Sequence, residues 1–165
     1  MEIIAILTAK YLYLVVIFLS FIFFLTLRKE DKIKMIWLAL IAGLISLVMV
    51  VLGGVLISDP RPFVVEGIKP LISHAADNGF PSDHTLVTML AAVLVTIFNR
   101  IYGIILIILA ILVGVSRVLV RVHHPLDIIG SIIIAVTSIL IAVVVYRKVI
   151  ATQVNKGRFS NTTNN

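Results

Sequence analysis

Three short stretches of this 165-residue chain combine residue types that handle phosphate: Arg61-Pro62, Pro81-Ser82-Asp83-His84, and Ser116-Arg117-x5-His123-x3-Asp127. A phosphate ester or anhydride spreads negative charge over its oxygens, and a guanidinium fork binds two of them at once. Arg61 and Arg117 fit that role. Neutral imidazole attacks phosphorus when a carboxylate fixes its tautomer and stabilises the cation that forms. His123 and Asp127 make such a pair if they share one helical face. A second histidine, His84, can protonate the leaving oxygen and then activate water against the phosphohistidine. Arginines and a helix N-terminus supply the positive charge, so this chemistry calls for no metal and no cofactor.

The elements that position these residues are apolar. At 61% apolar and 13% charged residues, with a mean hydropathy of +1.17, the chain lies far outside soluble usage, where about a quarter of residues are charged. It has no cysteine, which excludes a disulfide framework, a thiol nucleophile and a cysteine-based metal site. The net charge of +6 sits on lysines and arginines that flank apolar segments. That distribution fits positive-inside topology and excludes nucleic acid as the partner.

Five apolar segments are legible: 3–27, 33–57, 85–98, 101–115 and 126–146. They predict an all-α polytopic membrane helix bundle of about five transmembrane helices, forming one domain over 1–150. The polar tail 151–165 is expected to be disordered. The first segment lacks a basic start and a small-x-small site before Arg28, so it does not read as a cleaved signal peptide. The third segment is short for a span, which sets His84 at a helix N-terminus sunk into the interface, where free amides and the dipole favour an anion. Ser82 is the natural N-cap. With alternating helices, all three motifs fall on the side of the N-terminus. Arg28, Lys29, Lys32, Lys34, Arg100, Arg147, Lys148, Lys156 and Arg158 fall on the other. Positive-inside then predicts a cell-membrane protein with its polar cluster and N-terminus outside and its C-terminus inside.

Arg-Pro, Pro-Ser-x-His and Ser-Arg-x5-His-x3-Asp together resemble the three-part signature of the type 2 phosphatidic acid phosphatase superfamily of membrane lipid phosphatases. The resemblance covers roughly Gly54 to Gly130. Asp59-Pro60-Arg61-Pro62-Phe63, and the run from His74 through Asp77-Asn78-Gly79-Phe80-Pro81-Ser82-Asp83-His84-Thr85, are most similar to bacterial undecaprenyl pyrophosphate phosphatases. The resemblance implies His123 as nucleophile, His84 as acid and base, Asp127 as its orienter, and Arg61, Ser82 and Arg117 as phosphate ligands. Asp83, part of that likeness, is grouped with the ligands. The implied partner is a phosphorylated membrane lipid, and the implied reaction is hydrolysis of a polyprenyl pyrophosphate to its monophosphate. Phosphatidylglycerol phosphate and phosphatidic acid stay open as substrates. A small membrane transporter is the competing class, disfavoured because the polar residues gather at one interface.

Two departures stand out. The family's first motif has a lysine seven residues before the arginine, and this chain has Gly54 there. The family has glycine two residues before the nucleophile, and this chain has Arg121. If 116–122 is helical, Arg121 lies one turn from Arg117 and replaces the lost cation as a phosphate ligand; Lys69 is the other candidate. Other polar residues take blander readings. His74 reads as a loop or interface histidine, His124 as a packing or headgroup residue, and Asp77 and Asn78 as turn residues. Glu66 and Asp59 read as loop ion-pair partners, Tyr13 as an interface aromatic, and 68–76 as an interfacial helix.

Overall fold

A computed structural model describes residues 2–150; the tail 151–165, expected to be disordered, lies outside the described residues. The chain enters as α1 (Glu2–Leu7), runs through one π-helical turn (Thr8–Leu12) and continues as α2 (Tyr13–Thr26), a single 25-residue apolar helix. Leu27 and Arg28 turn extended and break it before α3 (Lys29–Leu56). After the one-turn α4 (Pro62–Val65) come α5 (Asp83–Thr96), α6 (Arg100–Leu119) and α7 (Pro125–Val145), the last extended by a π turn (Tyr146–Ile150). Local chemistry sets these starts. Pro62 and Pro125 occupy first-turn positions that need no N–H, and the Asn99 side chain caps α6 by accepting from the Tyr102 N–H at 3.0 Å.

Among the described residues, four helices are long and apolar enough to cross a membrane. The fifth apolar helix, α5, has only 14 residues, about 21 Å. It is tolerated because it is enclosed by protein, packed against α2, α3, α6 and α7. Leu86, Met89, Ala92, Leu94 and Val95 are buried there against Leu106, Ala110 and Val113 of α6 and Ile134, Ala135 and Ile139 of α7. Around this centre, Leu44, Val55, Leu56, Ile101 and Leu140 point outward, as the lipid-facing side of a membrane bundle does.

The connection from α3 to α5 closes one end of the bundle. Asn78 staples it: its side-chain amide donates to the carbonyls of Gly54 (3.0 Å) and Ile57 (2.9 Å), and its oxygen accepts from the Asp59 N–H at 2.9 Å. Phe80 then plugs between α3 and α7. A Cβ on Gly130 would overlap its ring, and one on Gly53 would meet it at 3.0 Å. The interfacial helix expected over 68–76 is absent. Pro70 biases Lys69 away from helical backbone, and the strip is tied to the α6–α7 turn by the Leu71 N–H donating to Val120 O at 3.3 Å. Ile72 is buried beside Val120 and Val122.

Candidate active site

The site grows from the way α6 ends. The Arg121 N–H donates to Val118 O (2.9 Å) and the Val122 N–H to Arg117 O (3.2 Å), the paired bonds of a Schellman motif. Arg121 occupies its left-handed position with φ 65°, where glycine is the usual residue. The helix therefore stops at Leu119, not at Val122, and Arg121 is not one helical turn from Arg117. It is exposed and lines a shallow cleft with Glu2, Ala5, Leu71 and Leu119. The turn delivers the next residue, His123, into the interior at 1% exposure.

His123 and Asp127 meet without sharing a helical face. His123 precedes the N-cap of α7, and Asp127, the third helical residue, reaches back across the cap. Asp127 Oδ2 accepts from the His124 backbone N–H at 2.9 Å and lies 3.1 Å from His123 Nδ1. A carboxylate only accepts, so Nδ1 carries the proton and Nε2 keeps its lone pair. Burial pushes the His123 imidazole below its ordinary value, against the pull of the Asp127 hydrogen bond, and the neutral, nucleophilic form is favoured.

Arg61 enters from the loop end. Its Nη1 donates to Val122 O at 2.8 Å and lies 3.2 Å from His123 Nε2, while its Nε donates to Asp77 Oδ1 at 2.7 Å. The Arg61 hydrogen bond in turn holds the Asp77 carboxyl below the usual carboxylate range. Arg117, on the last turn of α6, is 3% exposed, and its Nε and Nη2 have no hydrogen-bond partner among the described residues. Two buried guanidinium donors left open are expensive, at about 1–3 kcal/mol each, unless an anion satisfies them.

The N-terminus of α5 completes the cluster. Ser82 sits at the N-cap position, but its hydroxyl accepts from Thr85 Oγ1 at 3.1 Å and does not cap the helix amides. Those amides stay open to an anion. Ser131 fixes the strand of chain here by donating to Ser82 O (2.9 Å) and Asp127 O (2.7 Å). His84 is half-buried and packs edge-on against Tyr13, ring centroids 4.6 Å apart. Asp83 is exposed on the first turn, where its charge acts on Arg117. As an anion it suits that guanidinium better than a phosphate.

Arg61, Ser82, His84, Arg117, His123 and Asp127 are thus gathered at one end of the bundle. Arg121 stands outside the cluster and Lys69 is exposed on the loop. Gly54 faces the Asn78 side chain and Phe80 backbone, so no cation occupies the position of the absent lysine. Several partners were missed in the sequence. Asp77 grips Arg61, Tyr13 backs His84, and His74 lies edge-on to His123 with ring centroids 6.1 Å apart. The signal for Asp77 and His74 was their place in the run His74–Thr85 that carries the family likeness, which did not say what either residue touches.

Asp59, His124 and Asp127 present one ligand atom each within 4.8 Å of one another, a grouping that could hold a cation. All three already have neighbours: Asp59 Oδ1 lies 3.1 Å from His124 Nδ1, and Asp127 orients His123. Burial and the neighbouring Asp127 charge push the Asp59 carboxyl up.

A Bacillus subtilis (strain 168) protein named undecaprenyl-diphosphatase BcrC is 40% identical over 96 residues, 58% of this chain and 50% of its own length. A Bacillus licheniformis protein named bacitracin transport permease protein BcrC is 32% identical over 120 residues, 72% of this chain and 59% of that one. YbjG of Escherichia coli (strain K12) is 33% identical over 124 residues, 74% of this chain and 61% of that one. The chain thus spans between half and about three-fifths of these relatives' lengths. The model of the PAP2 superfamily matches residues 34–151, a stretch that carries all three motifs, and the chain belongs to that superfamily.

Proposed function

We propose that this chain hydrolyses a polyprenyl pyrophosphate of the undecaprenyl type to its monophosphate, without a metal, through a phosphohistidine on His123. The observation that carries the reading is the buried Arg117 fork, unsatisfied at Nε and Nη2, within electrostatic reach of an imidazole whose tautomer is fixed by Asp127. His123 Nε2 attacks the terminal phosphorus as the P–O bond to the bridging oxygen breaks. His84 gives that oxygen its proton, and the lipid monophosphate leaves. Water then attacks the phosphorus as His84 takes its proton, the P–N bond breaks, and inorganic phosphate departs with His123 restored. Arg61, Arg117 and the α5 amides hold the equatorial oxygens throughout.

The choice of lipid draws on the 40% identity to a protein named undecaprenyl-diphosphatase. Phosphatidic acid and phosphatidylglycerol phosphate offer the same reacting group. Purified protein in detergent should release phosphate fastest from undecaprenyl pyrophosphate when the three lipids are compared with EDTA present. Release that stops with EDTA and returns with Mg2+ overturns the metal-free step, and a preference for phosphatidic acid overturns the substrate.

The site end is read as facing outward. Arg28, Lys29, Lys32, Lys34, Arg100, Arg147 and Lys148 lie at the other end, while several basic residues of the site end are enclosed in the cluster. A cysteine at exposed Ala76 should react with an impermeant thiol reagent on intact cells, and one at exposed Lys29 should not. The opposite labelling pattern inverts the topology.

A further inference from the structure

His74 is an ionisable side chain beside the nucleophile that the mechanism above leaves unused. It sits on the loop between α4 and α5, half-buried, with its ring edge-on to His123. Arg61, Arg117, His123, His84 and Asp77 all act on it or feel it electrostatically. Its one hydrogen bond among the described residues is weak, Nδ1 to Ala75 O at 3.4 Å. A headgroup-seeking loop histidine would face outward. This one faces the catalytic cluster, and burial together with the Arg61 charge pushes its imidazole below the ordinary value. A phosphate oxygen beside it favours the imidazolium instead, whose Nε2–H donates while Nδ1–H keeps Ala75 O.

A lipid pyrophosphate brings two phosphates to such a site, and the cluster accounts for one. Arg117, Arg61 and the α5 amides surround the phosphorus that His123 attacks. The second phosphate, which becomes the head of the departing lipid, carries further negative charge and needs its own donor. No cation stands at Gly54, and Arg121 lies in a separate cleft. Resting on the proposed pyrophosphatase reading, we infer that His74 is the ligand of this second phosphate, and so the residue that separates a lipid pyrophosphate from a lipid phosphomonoester. A monoester puts an alkyl group where the second phosphate would be and gains nothing from an imidazole donor there. Binding the second phosphate also steadies the leaving group as its charge grows, so the contact strengthens toward the transition state.

The test compares two substrates and two inhibitors in the 165-residue chain. In His74→Ala, kcat/KM on undecaprenyl pyrophosphate should fall about ten- to a hundredfold, while kcat/KM on phosphatidic acid changes less than about threefold. Inhibition by inorganic pyrophosphate should weaken by a similar factor, with inhibition by inorganic phosphate kept. His74→Gln, which restores an N–H near the same place, should recover part of the loss at an unchanged Tm. Equal losses on both lipids, or none on either, overturn the assignment. The wild-type arm judges the underlying reading separately: a wild-type preference for phosphatidic acid removes the pyrophosphatase function itself, whatever the variants do.

Discussion

The two ends of the bundle hold similar charged residues and treat them in opposite ways. At one end Arg28 has a side chain 84% exposed and meets Asp31 at 3.4 Å, an exposed i,i+3 pair worth about 0.5 kcal/mol or less. Lys32 and Lys34 there lie over the rings of Phe24 and Phe98. At the other end Arg61, Arg117, His123 and Asp127 are all at most 5% exposed. Burying such groups costs several kcal/mol apiece unless partners repay it. Three of the four have those partners: Arg61 has Asp77 and Val122 O, and His123 and Asp127 have each other. Arg117 has open donors. Residue type alone does not separate an anchor from a working site; burial with one unmet donor set does.

The largest expected effect breaks the buried end at that point. Arg117→Lys keeps the charge but loses the fork, so kcat/KM should fall about a hundred- to a thousandfold with no loss in Tm. Near wild-type kinetics would mean that the open donors do not grip phosphate. A smaller effect sharpens the comparison, because Arg121 shares the site's end yet is exposed. Arg121→Gly removes the positive-φ strain of the Schellman position and should raise stability by about 1 kcal/mol, with kcat/KM within about threefold. The smallest, Arg28→Ala, should move stability by about 0.5 kcal/mol or less. A hundredfold kinetic loss in Arg121→Gly would restore Arg121 as the replacement for the lysine absent at Gly54.

Much of the fold was legible because membrane helices announce themselves through apolar length. The segment expected over 33–57 is α3, Lys29–Leu56, and that over 126–146 is α7, Pro125–Val145. The gathering of Arg61, Ser82, His84, Arg117, His123 and Asp127 at one end followed from alternating the helices. What failed was local backbone. A helical 116–122 was the condition for setting Arg121 one turn from Arg117; the chain turns there instead, and the signal was the family's glycine at that position, not any residue of this chain. The i,i+4 spacing of His123 and Asp127 suggested a helical face, whereas a carboxylate reaching back over a helix cap makes the same contact. The loop's role was hidden for a related reason. Asp77, Asn78 and His74 are ordinary turn residues in sequence, and it takes the Phe80 plug beside Gly130, the Asn78 staple and the Leu71–Val120 bond to fold their strip onto the site.

The most direct measurement is chemical trapping on His123. His84→Ala protein, mixed with undecaprenyl pyrophosphate labelled in its terminal phosphate and quenched in alkali, should hold label that acid removes, and digestion should place it on the peptide containing His123. The same label should be missing from His84→Ala/His123→Ala. Label that persists without His123, or single-variant His123→Ala protein that still turns over, would contradict the phosphohistidine mechanism.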